Sequence, residues 1–211
     1  MNDLPTSHEV TAADIAQLVR GVEAVAFRLG VELDEILDAD HISAQVGIEA
    51  DRVRELLDGA EPQHPPRDSR ERETFYRDMV SQRLGLLRAR RPDSYRQIGH
   101  EVNLTHSLVE FLVKGKRSAR VEYSSPLEEH YGVEHGYLSK HEGAALADHL
   151  KKTMDGLRAA AVYEGLQTLG GKQVALRHTG DGAPSLEDLV TVVDTLVARM
   201  RIQQRDNPED S

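Results

Sequence analysis

The chain has 211 residues, 39% of them hydrophobic but only 4% aromatic, with no Cys, no Trp and a formal net charge of −10. Lack of cysteine excludes disulfide staples and thiolate metal sites and fits a reducing compartment. A core poor in aromatics must be built from Leu, Val, Ala and Ile, which favours packed helices over a β-sandwich and excludes a membrane protein, since no run approaches ~18 apolar residues. The opening MNDLPTSHEV has neither a basic n-region nor an apolar h-region, so no export is expected and the expected place is the cytoplasm.

The front of the chain reads as an acidic helical unit over 1–60, in which thirteen acids face four arginines. Within it TAADIAQLVRGVEAVAFRLG carries Ile15, Leu18, Val19, Val22, Val25 and Ala26 at helical spacing. AEPQHPPRDSRER combines three prolines with charge and has almost nothing to bury, which marks 61–72 as a linker. A second helix is predicted in TFYRDMVSQRLGLLRARR on Phe75, Met79, Val80, Leu84 and Leu87, closed by Arg91-Pro92. Ser94 and Gln97 then form an S-x-x-Q capping box for the next helix. SSPLEEHYGVEHGYL predicts a short helix running into a turn at Gly132, and Leu146, Leu150, Met154, Leu157 and Ala161 predict a long helix over about 142–168. HTGDGAP breaks the pattern, Ser185 and Asp188 cap a last helix, and 206–211 reads as a disordered tail.

Charge is not spread evenly. Residues 81–120 contain nine Arg and Lys against Asp93, Glu101 and Glu110, a basic island of +6 in an acidic chain. Distribution of this kind bears on partners more than the sum does.

Inside the island lies a twenty-residue pattern with steric rules of its own. A helix-turn-helix needs apolar side chains at positions 4, 8, 10, 15 and 18, a small residue at 5 and a left-handed residue at 9. Counted from Tyr95, the apolar positions hold Ile98, Val102, Leu104, Val109 and Leu112, with Gly99 at the small one and Asn103 in the turn. Counted from Ala39, they hold Ile42, Val46, Ile48, Val53 and Leu56, with Ser43 and Gly47 in the special places. The RLG triplet precedes both, at 28–30 and 83–85, which reads as an internal duplication. Charge separates the two units: Glu49, Asp51 and Glu55 lie on the second helix of the first, whereas Lys114, Lys116, Arg117 and Arg120 follow the second. Only the second is electrostatically suited to DNA. On it Thr105, His106, Ser107, Glu110 and Lys114 are expected to face the major groove, with Thr105 equally suited to capping the helix. Lys116, Arg117 and Arg120, with Lys114, are expected on phosphates.

On these residues the chain resembles the Xre/Cro-like helix-turn-helix regulators. In them a helix like FYRDMVSQRLGLLRARR precedes the motif, and a G-x-R like Gly115-Lys116-Arg117 follows it. More narrowly, residues 75–205 resemble the actinobacterial EspR-type regulators in layout, including Val133-x-x-x-Tyr137-Leu138 leading into a C-terminal helical region. The resemblance implies an all-α fold of tandem, lambda-repressor-like helix-turn-helix units with a DNA-binding domain at 73–140 and a dimerisation region at 141–205. It implies a dimeric transcriptional regulator or nucleoid-associated protein that binds double-stranded DNA and is not an enzyme. The acidic front unit departs from that layout and suggests a protein partner.

Assembly is expected through the last helix, where Leu186, Leu189, Val193, Leu196 and Met200 form one apolar seam. His130, His135, His141 and His149 are the densest ligand-type cluster, but no pair is four apart on one predicted helix, so no metal or cofactor is expected. The alternative to a DNA-binding regulator is an interaction adaptor or antitoxin-like protein that uses degenerate helix-turn-helix units as docking faces.

Overall fold

The computed structural model describes residues 9–168, and among them the chain is all helix and connecting loop, with no strand. The described residues fall into two compact units, one of 9–19 and 37–149, the other of 20–36 and 150–168. The apolar seam expected at Leu186, Leu189, Val193, Leu196 and Met200 lies outside the described residues.

α1 (Ala12–Leu29) starts at Thr11, whose hydroxyl and backbone N–H both donate to Asp14, at 2.8 and 2.9 Å. α2 (Leu33–Ile36) is a single turn. α3 (Ala39–Val46) is capped by Asp38, which accepts from the amides of Asp40 and His41. α4 (Ala50–Leu57) follows after a three-residue turn. α5 (Ser69–Arg90) begins at the Asp68 cap, inside the stretch that composition marks as linker, because that side chain satisfies the Arg70 and Glu71 amides. α6 (Tyr95–Glu101) carries the expected capping box, with Ser94 and Gln97 each bonding the other's backbone N–H. α7 (His106–Val113), α8 (Val121–Tyr131) and α9 (Glu142–Thr168) complete the order.

The RLG echo is not a structural equivalence. Arg28 and Leu29 end α1 and Gly30 turns left-handed beyond it, whereas Arg83, Leu84 and Gly85 lie in mid-α5. The two hairpins, by contrast, match closely. In α3–α4 all five apolar positions are buried, and in α6–α7 four are, with Leu104 partly buried against the same core. Both turns hold the required left-handed residue, Gly47 at φ 71° and Asn103 at φ 56°. Gly99 occupies the closest approach, since a Cβ there would lie 2.6 Å from the carbonyl oxygen of Leu104.

One hydrophobic core of the first unit joins Val80, Leu84 and Leu87 of α5 to Ile98, Val102, Val109 and Leu112 of the α6–α7 hairpin, and to Leu127, Tyr137 and Leu138. Tyr137 and Leu138 are held by Glu128, a buried carboxylate of α8 that accepts from the amides of Gly136 at 3.1 Å and Leu138 at 2.8 Å. That arrangement supplies partners to two amides that the turn would otherwise strand.

The proline segment after α4 is fastened too. Pro62 is buried, Arg52 donates to the Glu61 carbonyl at 2.9 Å, and the Gln63 amide donates to Glu142 at 2.6 Å. Arg52 itself forms a two-nitrogen fork with Glu142, at 2.6 and 3.2 Å, and a third bond to Glu55. These charge-assisted bonds raise the Arg52 pKa above its ordinary value.

In the second unit Val22, Val25, Ala26 and Leu150 are buried, and Gly21 lies so close to Met154 that a Cβ would meet its sulfur at 2.9 Å. Phe27 is exposed there. No helix among the described residues is long and apolar enough to cross a membrane.

Candidate nucleic-acid interface

α7 is positioned from both ends. At its start the Thr105 hydroxyl accepts from the Leu108 amide, so Thr105 does cap the helix while remaining exposed. At its end the Ser81 hydroxyl of α5 donates to the Val113 carbonyl at 2.6 Å, and the Lys116 amide donates to the Phe111 carbonyl at 2.8 Å. The turn 114–117 is thereby fixed against α5, and with it the direction in which Lys116 and Arg117 project.

Burial of Val109 and Leu112, with Leu108 and Val113 packed partly beside them, aims the opposite face outward. At 100° per residue that face holds Ser107 and Lys114 at its centre, flanked by Glu110 and Phe111, with His106 at one edge. Four of these match the sequence-based set. Phe111 does not, though it is 41% exposed. The signal was available: an apolar residue four after Ser107 falls on none of the five core positions.

Glu110 and Lys114 engage each other at 2.5 Å, one helical turn apart. Lys114 holds the Glu110 carboxyl below its usual range, and Glu110 in turn raises the lysine. Both groups therefore stay charged, and neither reaches outward independently. Ser107 and His106 also lie against one another, with Oγ and Nε2 3.2 Å apart.

Much of the basic island serves the fold. Arg83 is buried, donates to the Tyr137 carbonyl and lies 5.8 Å from the centroid of that ring. Burial pulls its pKa down to about 10, which leaves it charged at neutral pH. Arg88 stacks on the Tyr95 ring at 4.2 Å and donates to its hydroxyl at 2.9 Å. Arg90 donates to the Ala44 carbonyl at 2.5 Å, and Arg91 to the His130 carbonyl at 2.8 Å while pairing with Asp93 at 2.6 Å. Charge alone could not separate these four from the surface cations, because the helical spacing that buries Arg83 becomes visible only when α5 has a partner on that side.

Lys116 and Arg117 are exposed, and no carboxylate among the described residues pairs with them. Together with Arg77 of α5, Arg120, Ser118 and Glu73 they line an open cleft of about 450 Å³ beside the end of α7. Arg120 is partly balanced by Glu122 at 3.5 Å. Arg77 was not foreseen, since nothing local distinguishes it from the other arginines of a long amphipathic helix.

Among the described residues no group of three or more His, Asp or Glu side chains is placed to hold a metal ion. His130 is buried between Asp93 at 3.3 Å and Glu101 at 2.8 Å, His135 is exposed near Glu128, and His141 accepts from the Ala144 amide at the start of α9. Comparison of the chain with known protein families, with curated proteins and with solved structures finds no match.

Proposed function

We propose that this protein is a non-enzymatic regulator or nucleoid-associated protein that binds double-stranded DNA through the α6–α7 hairpin and acts as a dimer through the apolar seam expected at Leu186, Leu189, Val193, Leu196 and Met200. One observation carries the reading. α7 presents an outward face of polar side chains plus one aromatic, and a cleft lined by Arg77, Lys116, Arg117 and Arg120 opens beside its end. A helix of this width fits the major groove of B-DNA, and cations beside its end fall where phosphates flank that groove. α7 reads bases, while Lys116, Arg117 and Arg77 hold the backbone and set the register. α4 has the same hairpin geometry but carries Asp51 and Glu55 and is followed by Asp58, with Arg54 tied to Asp51 at 2.5 Å. Repulsion from phosphate makes it a protein-facing surface instead.

The test is fluorescence anisotropy of the full-length protein with a random duplex across a salt series. Lys116→Ala with Arg117→Ala should weaken binding to all sequences alike and flatten the slope of log K against log salt by about 1 per lost phosphate contact. No binding of the unmodified protein at low salt would sink the proposal, and an adaptor role would take its place.

A further inference from the structure

The outward face of α7 contains an apolar side chain that neither its own core nor phosphate binding accounts for. Phe111 is 41% exposed, whereas the other apolar residues of the helix, Leu108, Val109, Leu112 and Val113, turn wholly or partly into the core. Its polar neighbours are already engaged, Glu110 with Lys114 at 2.5 Å and Ser107 with His106 at 3.2 Å. Exposed aromatic surface is costly in water and is released only against another apolar group. Along the major-groove edges of B-DNA the one methyl group on offer is the C5 methyl of thymine, standing among hydrogen-bond donors and acceptors.

We infer that Phe111 reads thymine through its C5 methyl group, so that the preferred site carries a T·A pair where the middle of α7 meets the groove. The inference rests on the DNA-binding reading above and adds the base that the helix selects. It also moves the expected base reading from Glu110 to Phe111, because one oxygen of the Glu110 carboxylate is already held by Lys114 at 2.5 Å.

The experiment uses the full-length protein and duplexes selected by repeated binding from a random pool. Each selected duplex is then made again with deoxyuridine in place of one thymine at a time, which removes a methyl group and leaves pairing and phosphates unchanged. The unmodified protein should lose about four-fold in affinity at one position or two, the worth of one buried methyl. Phe111→Ala should bind the thymine and uracil duplexes equally, so that no uracil replacement costs it affinity. Phe111→Leu should keep part of the discrimination, and circular dichroism with urea midpoints confirms that both variants are folded. If the protein binds DNA but no uracil replacement weakens it, or if Phe111→Ala discriminates as well as the parent, the inference falls and the DNA-binding reading stands. If no duplex binds at low salt, both fall together.

Discussion

Tyr137 lies against Gly47: a Cβ on that glycine would sit 2.7 Å from the tyrosine ring, and Arg83 approaches the same spot, with its Cγ 3.0 Å from that position. The turn of the α3–α4 hairpin is therefore packed on a residue from the segment that closes the core of the α6–α7 hairpin. Gly47 is required twice over, by its left-handed φ of 71° and by the lack of room for any side chain. Because one ring serves both hairpins, Tyr137→Ala should cost about 3–5 kcal/mol and act on the two together. Urea unfolding followed by hydrogen exchange checks this, and loss of protection in α6–α7 with α3–α4 unaffected would contradict it.

Gly99 tests the helix crossing itself. With its Cβ 2.6 Å from a backbone oxygen, Gly99→Ala must push the 104–106 turn away from α6. The expected cost is about 1–3 kcal/mol in urea denaturation. DNA affinity should fall by more than stability alone explains, since the turn aims α7.

The Glu110–Lys114 pair gives a prediction of opposite sign. Glu110→Gln frees Lys114 and removes a negative charge from the proposed interface, so affinity should rise and the salt slope should steepen by about 1. A loss of affinity confined to one sequence would instead mean that Glu110 contacts a base.

His141 confers a pH dependence whose sign is determined by its surroundings. Burial first, and the charge of His64 second, hold its pKa below the usual histidine value, and its Nδ1 accepts from the Ala144 amide. A depressed folded pKa means stability that is complete above the unfolded pKa, about 6.5, and is lost as pH falls through the lower folded value. His141→Asn keeps a capping acceptor and removes the proton site, so the difference in urea midpoint between about pH 7.5 and about pH 5 should shrink. An unchanged difference would assign the acid sensitivity elsewhere.

Assembly is tested by Val193→Asp with Leu196→Asp. If the seam read from the sequence pairs two chains, these substitutions would set two unpaired charges on it, each costing several kcal/mol, and should separate a dimer into folded monomers. Sedimentation should show that change, and binding to a palindromic site, whose half-sites lie about one turn or ~34 Å apart, should fall far more than binding to random duplex. A parent protein that is already monomeric at micromolar concentration would remove the bivalent mechanism.

Local rules were readable without coordinates. The Ser94–Gln97 capping box, the left-handed Asn103, the small Gly99 and the apolar positions of both hairpins follow from period, cap chemistry and steric fit within twenty residues, and α9 spans the predicted 142–168. Composition was likewise enough for the all-helical character of the described residues. What the chain does with its charges was not local. Arg83, Arg88, Arg90 and Arg91 stand in the same basic run as Lys116 and Arg117, yet the side chains of the first four meet a carbonyl or a ring that the fold brings to them, and those of the last two form no ion pair among the described residues. Membership of the α3–α4 and α6–α7 hairpins in one compact unit was equally out of reach, since it rests on Tyr137 meeting Gly47 across ninety positions of chain. A periodic pattern tells a helix which face to bury, and only the packed chain decides what that face, and every cation beside it, is buried against.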